Sequence, residues 1–166
     1  MTFAASTGNQ CSEELDQFGD HGVCCCYGHL RIRRHDQYAD SLADIIIEAG
    51  AHVRREAYIK TFCDARSDAW LDIWAFGTQA IDDLLVDVTI RHPMASAYQP
   101  RASANVGATA AKAEDQKVDR YPPTAGRRVT PFAVESWGRL GAAAEELLQT
   151  LAAAATYKAR MRGHAT

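Results

Sequence analysis

Leu84-Leu85-Val86-Asp87-Val88-Thr89-Ile90 is the stretch that decides the fold of this 166-residue chain. Its apolar and β-branched residues predict a strand, yet Asp87 stands at its centre. A carboxylate among buried apolar groups is costly unless it is paired or bound to a cation. Asp72 repeats the situation in Trp70-Leu71-Asp72-Ile73-Trp74. The two acids therefore indicate either solvent-facing positions on half-exposed strands or a shared cation site.

Fifteen residues separate Asp72 from Asp87, a spacing that suits two strands joined by a turn over 77–83. Such a pairing places the two carboxylates side by side on one sheet face. Mg²⁺ binds one or two carboxylates and completes its shell with water and phosphate, and the bound ion activates water for attack at phosphorus. Mg²⁺ or Mn²⁺ is therefore the expected cofactor. Glu56 is a third candidate ligand, with a surface ion pair to a neighbouring arginine as the alternative.

The rest of the chain alternates between helical and strand patterns. A helix is predicted over 36–49, and strands are predicted over 52–59, 69–76, 84–90 and 129–135. Pro131 indicates an edge position for the last strand. Two further helices are predicted, over 105–120 and from 140 to about 161. This order predicts an α/β fold in which a central mixed sheet is flanked by helices.

Composition restricts the class of protein. The chain is 47% hydrophobic and 23% charged, as in an ordinary globular domain, and no stretch approaches the roughly 20 apolar residues that span a bilayer. No secretory signal is visible in the first ten residues. We therefore expect a nuclear or cytoplasmic protein that is neither secreted nor bound to a membrane. The formal net charge of −3 predicts that any polyanion site is local.

The cysteines and the basic residues are both concentrated near the start of the chain. Five cysteines, three of them consecutive, make a poor disulfide framework and favour reduced thiols. Residues 1–34 show little periodicity, which predicts a loop-rich segment that depends on a metal or a partner. A basic run at its end is the best local patch for phosphate contacts on DNA, with a solvated basic face as the alternative; it comprises Arg31, Arg33, Arg34 and His35.

Several motifs, in this order and spacing, resemble a known family. They are Gly19-Asp20-His21 followed by Cys25, Arg33-Arg34-His35-Asp36, Leu85-Val86-Asp87-Val88-Thr89, Lys117 with Tyr121, Ala133-Val134-Glu135 and Gly138-Arg139-Leu140-Gly141. From about Cys11 to Leu151 the chain resembles the C-terminal region of reverse-transcriptase polyproteins from non-LTR retrotransposons. In that family a zinc knuckle precedes a restriction-like endonuclease domain of the PD-(D/E)XK class, which nicks target DNA.

The resemblance implies a domain organisation and a set of partners. A knuckle-like segment would occupy residues 1–34, a restriction-endonuclease-like domain residues 35–152, and a basic, frayed tail residues 153–166. The implied activity is hydrolysis of a DNA phosphodiester by a metal-activated water. The implied partners are DNA, the RNA of the element and the polymerase portion of a longer polyprotein. A catalytically inactive remnant that binds nucleic acid or another partner is the alternative.

Site residues follow from the resemblance position by position. Asp72 and Asp87 match the two metal-binding acids. Lys117 matches a catalytic lysine that has moved onto a helix, and Tyr121 matches the aromatic residue that follows this lysine. His35 and Glu56 match accessory positions. Leu71 replaces the proline before the first acid. Thr89 stands where simpler members carry their lysine, so activity would rest on Lys117.

The knuckle has an incomplete set of zinc ligands. Cys11, His21 and Cys25 match three of them, but Asn9 stands where a further cysteine is usual. Structural zinc takes four ligands. His29, Cys24 or Cys26 would supply the fourth, and free thiols in a degenerate knuckle are the alternative.

Overall fold

The computed structural model describes residues 11, 14–25, 29–65, 67–78 and 81–163. Its elements are α1 (Asp20–Cys24), α2 (Leu30–Glu48), β1 (His52–Tyr58), a 3₁₀ turn (Lys60–Phe62), β2 (Trp70–Phe76), β3 (Leu84–Arg91), α3 (Gln99–Ala102), α4 (Ala108–Arg120), β4 (Val129–Glu135) and α5 (Ala142–Gly163). The predicted α/β architecture, a mixed sheet flanked by helices, is confirmed.

The four strands form one sheet in the order β1-β2-β3-β4. The chain runs antiparallel through β1, β2 and β3, and then returns parallel to β3 as β4. A parallel pair requires a crossover, and α4 lies within this one. Pro131 lies in β4 opposite Asp87, and an edge strand tolerates a residue that has no N–H to donate. The predicted edge position of β4 is therefore confirmed.

Helices cover both faces of the sheet. On one face α2 and α5 pack against β2, β3 and β4 and form the main apolar core. Its buried residues include Ile46 and Leu151 of the helices and Ile73, Val86 and Val134 of the strands. On the other face α4 packs Ala110 and Ala113 against Ala133 of β4. Because both faces are covered there, the five central residues of β3 are all buried. Asp87 is one of them.

Four helices differ from the sequence-based expectation. α2 begins at Leu30 rather than at residue 36, because arginine is a good helix former and extends the amphipathic stretch. α1 and α3 lie in segments predicted to be loops. α5 continues to Gly163, about two residues past its predicted end, so residues 153–163 of the predicted tail lie in this helix, and Lys158 Nζ donates to the Glu48 carbonyl at 3.1 Å. No helix in the described part of the chain has the length and apolarity to cross a bilayer.

Two neighbouring isoleucines in α2 provide a test of this packing. Ile46 is fully buried in the core, whereas Ile47 is 52% exposed. We expect Ile46→Ala to lower the free energy of unfolding by about 2–5 kcal/mol, because it removes buried methyl groups and leaves a cavity. Ile47→Ala should change it by less than about 0.5 kcal/mol. Urea denaturation followed by circular dichroism measures both, and equal effects would contradict the assigned orientation of α2.

Candidate active site and metal-binding cluster

The site begins with the carboxylate of Asp87 at the centre of β3. Only 6% of this residue is exposed. Burial raises the pKa of its carboxyl to about 6, although the positive charge of Lys117 lowers it. The last turn of α4 brings Lys117 into place, where Nζ donates to Asp87 Oδ2 at 2.7 Å. This ion pair explains how the fold tolerates a charge in its central strand.

Asp72 lies beside Asp87 on the neighbouring strand. The pairing of β2 with β3 ends at Ile73 and Val86, so Asp72 and Asp87 lie directly beyond the last paired residues of the two strands. The N–H of Val88 donates to Asp72 Oδ2 at 2.6 Å, and each carboxylate is close enough to shift the pKa of the other. The structure thus brings together Asp72, Asp87 and Lys117, which are a pair of hard oxygen ligands and one cation.

His35 reaches the same site from α2. Its Nε2 lies 3.3 Å from Asp72 Oδ2 and 3.2 Å from the Val88 carbonyl oxygen. The hydrogen bond to Asp72 outweighs burial and raises the pKa of His35 to about 9. Burial disfavours the charge on Asp72, but His35 holds the pKa of that carboxyl below its ordinary value. The sequence places His35 both in the basic run and at an accessory position of the site; in the structure it contacts Asp72 and also lines the cleft.

Tyr121 and Glu56 contribute differently from the two acids. Tyr121 directly follows α4, is 4% exposed, and packs edge-on against Phe62 with ring centroids 6.0 Å apart. It belongs to the buried cluster that includes Leu71 and Leu85, and burial followed by the nearby charge of Asp87 raises its pKa. Glu56 is exposed in β1, with a φ of 47°. Among the described residues no third acid, histidine or cysteine joins Asp72 and Asp87 in a group within 4.8 Å, so Glu56 is not a third ligand there.

An open cleft of about 610 Å³ lies beside Asp87, and Asp72 is not among the residues that line it. Its floor is β3, and Asp87, His35 and Lys117 all line it. Arg31, Arg34 and Arg91 add positive charge to its walls. Arg33, by contrast, is not among the residues that line the cleft and is exposed, because it points to a different side of α2. The predicted basic patch is thus divided between the cleft and solvent.

A second cluster of possible ligands lies in the N-terminal segment. Cys11, His21 and Cys25 place their ligand atoms within 4.8 Å of one another, and Cys11 Sγ is 3.2 Å from His21 Nε2. Both cysteines are buried. Two sulfurs and one imidazole are a donor set that suits Zn²⁺, and this cluster could hold a metal ion.

The fourth ligand proposed from the sequence is not found among the described candidates. His29 directly precedes α2, is exposed, and has a φ of 57°. Cys24 is likewise exposed, and neither residue belongs to the cluster. Asn9 and Cys26 lie outside the described residues.

A row of three polar side chains at the end of the cleft was not predicted from the sequence. The His92 ring lies between Asp20 and Ser136, with 3.3 Å from Nε2 to Asp20 Oδ1 and 2.6 Å from Nδ1 to Ser136 Oγ. His92 follows β3 and Ser136 follows β4. Because the carboxyl ends of parallel strands meet at one sheet edge, polar residues directly after both predicted strands were an available signal.

Comparison of the chain with models of known protein families and with curated proteins found no match. The geometry of the site is therefore the basis for its interpretation.

The pairing of His35 with Asp72 predicts a pH dependence of stability. Because the pKa of His35 rises from 6.5 to about 9 on folding, its contribution is complete below pH 6.5 and is lost as the pH rises through 9. Solvent screening of this half-buried ring reduces the effect to roughly 1–2 kcal/mol. Urea unfolding of the wild type and His35→Gln at pH 6 and pH 9.5 measures it. A loss on raising the pH that is as large in His35→Gln would contradict the assignment.

Proposed function

We propose that the protein is a divalent-metal-dependent DNA endonuclease domain of a retrotransposon-derived polyprotein, with a restriction-endonuclease-like fold. The observation that carries this proposal is the convergence of Asp72, Asp87 and Lys117, of which Asp87 and Lys117 line a cleft with basic residues on its walls. The resemblance of the ordered motifs to non-LTR retrotransposon endonucleases supports the same function.

Asp72 and Asp87 would hold Mg²⁺ or Mn²⁺ between two adjacent strands. When bound, the ion activates a water and neutralises charge on the phosphate. Burial and the neighbouring acid raise the pKa of Asp87 to about 6, and a divalent cation bound between the two acids would favour the ionised form of both. The N–H of Val88 and the ring of His35 hold Asp72 ionised and in a fixed orientation.

Lys117 neutralises Asp87 in the structure, with Nζ at 2.7 Å from Oδ2. Once a cation shares the charge of Asp87, the ammonium has donors available for the cleft, since each ammonium carries three N–H groups. It would then orient the attacking water or stabilise negative charge on the phosphate as a point cation.

The cleft would guide the DNA backbone past the acids. Arg31, Arg34 and Arg91 line it, and cationic side chains of this kind make the phosphate contacts that position a duplex. Because the whole chain has a net charge of −3, binding by this domain alone should be weak and strongly sensitive to salt. A polymerase portion would supply further affinity for DNA and for the RNA of the element, in the nucleus or the cytoplasm.

A nucleic-acid-binding module without activity is the second candidate function. The site has two acids rather than three, because Glu56 does not join them, and Lys117 already compensates the buried charge of Asp87. Such a site would keep the basic cleft and the fold without holding a catalytic cation.

Nicking of supercoiled plasmid separates the two candidates. We expect Mg²⁺-dependent or Mn²⁺-dependent nicking, which Asp87→Asn lowers by about 100-fold or more because it removes a buried metal ligand. Asp44→Asn is the matched control, since Asp44 is exposed on α2. Nicking that persists in Asp87→Asn would refute the proposed site, and binding without nicking in the wild type would favour the inactive module.

For the N-terminal cluster we propose Zn²⁺ as the bound ion. We expect about one zinc per chain after purification, and Cys25→Ser should lose most of it because the thiolate is a direct ligand. Cys24→Ser should retain the zinc, since Cys24 is the exposed neighbour outside the cluster. Atomic absorption measures the metal content. Equal zinc content in the two variants would show that Cys25 is not a ligand.

A further inference from the structure

The N-terminal segment has little apolar surface with which to hold its position. Of the described residues from 11 to 25, only Cys11 and Cys25 are buried, and α1 buries none of its five residues. Phe18 is 70% exposed. A segment this short cannot build a core of its own and needs cross-links such as a bound metal. The two buried side chains are both ligands of the candidate metal cluster.

Polar contacts join the described part of this segment to the body of the domain. Arg34 Nη2 donates to the Val23 carbonyl oxygen at 2.6 Å. Asp20, the residue before the candidate ligand His21, places Oδ1 at 3.3 Å from His92 Nε2. Both contacts end on residues that line the cleft, Arg34 on α2 and His92 after β3.

His92 is buried at the point where α1 meets the ends of the strands. It is 8% exposed, and its ring packs edge-on against Trp137 with centroids 5.9 Å apart. Its Nδ1 is 2.6 Å from Ser136 Oγ. Its Nε2 is buried and, among the described residues, has no aligned hydrogen-bond partner. Asp20 is the charged group that faces this nitrogen, so the environment of His92 depends on where α1 lies.

Val23 and Cys24 form part of the cleft wall, opposite β3. A displacement of α1 would therefore remove wall residues, release the Arg34 guanidinium and expose His92 at the same time. Each of these changes alters the surface to which nucleic acid would bind.

From these contacts we propose that metal binding by Cys11, His21 and Cys25 docks α1 on the domain through the Asp20–His92–Ser136 chain, and so sets the nucleic-acid-binding form of the cleft. Asp20, His92 and Ser136 are positioning residues in this scheme. The docking step is a property of the chain itself. Its effect on nucleic-acid affinity rests on the proposed function.

Trp137 provides an optical readout of docking, because its ring packs against His92 and a Cβ added at Gly19 would lie 4.0 Å from it. Co²⁺ absorption reports binding at the cluster directly, and Zn²⁺, a d¹⁰ ion without an absorption band that quenches indole emission, is titrated in parallel to follow Trp137. We expect the emission of the metal-free chain to change with added Zn²⁺ over the same equivalents at which cobalt absorption develops, and chelator to reverse the change. The change should disappear in Trp137→Phe. Cobalt binding at the cluster without a change in Trp137 emission on addition of Zn²⁺ would overturn the docking step.

The coupling to the cleft is tested with His92→Gln, and His52→Gln is the matched control because His52 is exposed on β1. Fluorescence anisotropy measures the affinity for a short DNA duplex without Mg²⁺, with and without Zn²⁺. In the wild type and the control we expect Zn²⁺ to tighten binding roughly 5- to 150-fold. In His92→Gln the ratio should fall to about twofold or less, while cobalt absorption is retained. A ratio that stays at the wild-type value would overturn the proposal.

Ser136→Ala serves as a second variant should His92→Gln fail to fold, since Ser136 is half-buried and remote from the ligands in sequence. It should reduce the metal dependence of duplex affinity, and an unchanged ratio in a folded Ser136→Ala would overturn the proposal. If the wild type binds no duplex under any condition, the proposed function fails, and the Trp137 titration alone decides whether docking occurs.

Discussion

The buried charge of Asp87 is the constraint on which the rest of the structure depends. A carboxylate in the central part of β3, with strands on both sides and helices on both faces, needs a compensating cation. The crossover from β3 to β4 contains α4, whose last turn carries Lys117 to Asp87. The crossover that makes β4 parallel to β3 therefore also supplies the cation that compensates the buried charge of Asp87.

Around the Asp87–Lys117 ion pair four charged side chains form a row in which each one contacts the next. His35 faces Asp72, Asp72 faces Asp87, and Asp87 faces Lys117. The two outer groups are cationic and the two inner groups are acidic. The acids differ in character, because His35 keeps the pKa of Asp72 low while burial raises that of Asp87 to about 6. Two like-charged groups with different affinities for protons are typical of a functional site.

The two sides of the cleft, the N-terminal segment and the rest of the domain, are stabilised by different kinds of contact. The sheet, α2 and α5 share an apolar core with fully buried residues such as Ile73 and Val86. The N-terminal segment instead relies on polar contacts and on its ligand cluster. Regions with few buried apolar contacts open at lower free energy than the core. The wall formed by Val23 and Cys24 is thus the part of the cleft that a bound metal can influence most.

Periodicity and composition by themselves determined the α/β class, four strands close to their observed bounds and the edge position of β4, because these depend on local patterns. The unusual acids of β2 and β3 also pointed to the site. Only the tertiary structure decided that α2 brings His35 to Asp72, that Glu56 stays outside, and that His92 joins Asp20 to Ser136. These contacts link residues far apart in the chain, such as the 44 positions between His92 and Ser136. Their geometry depends on how the elements pack, which no local pattern encodes.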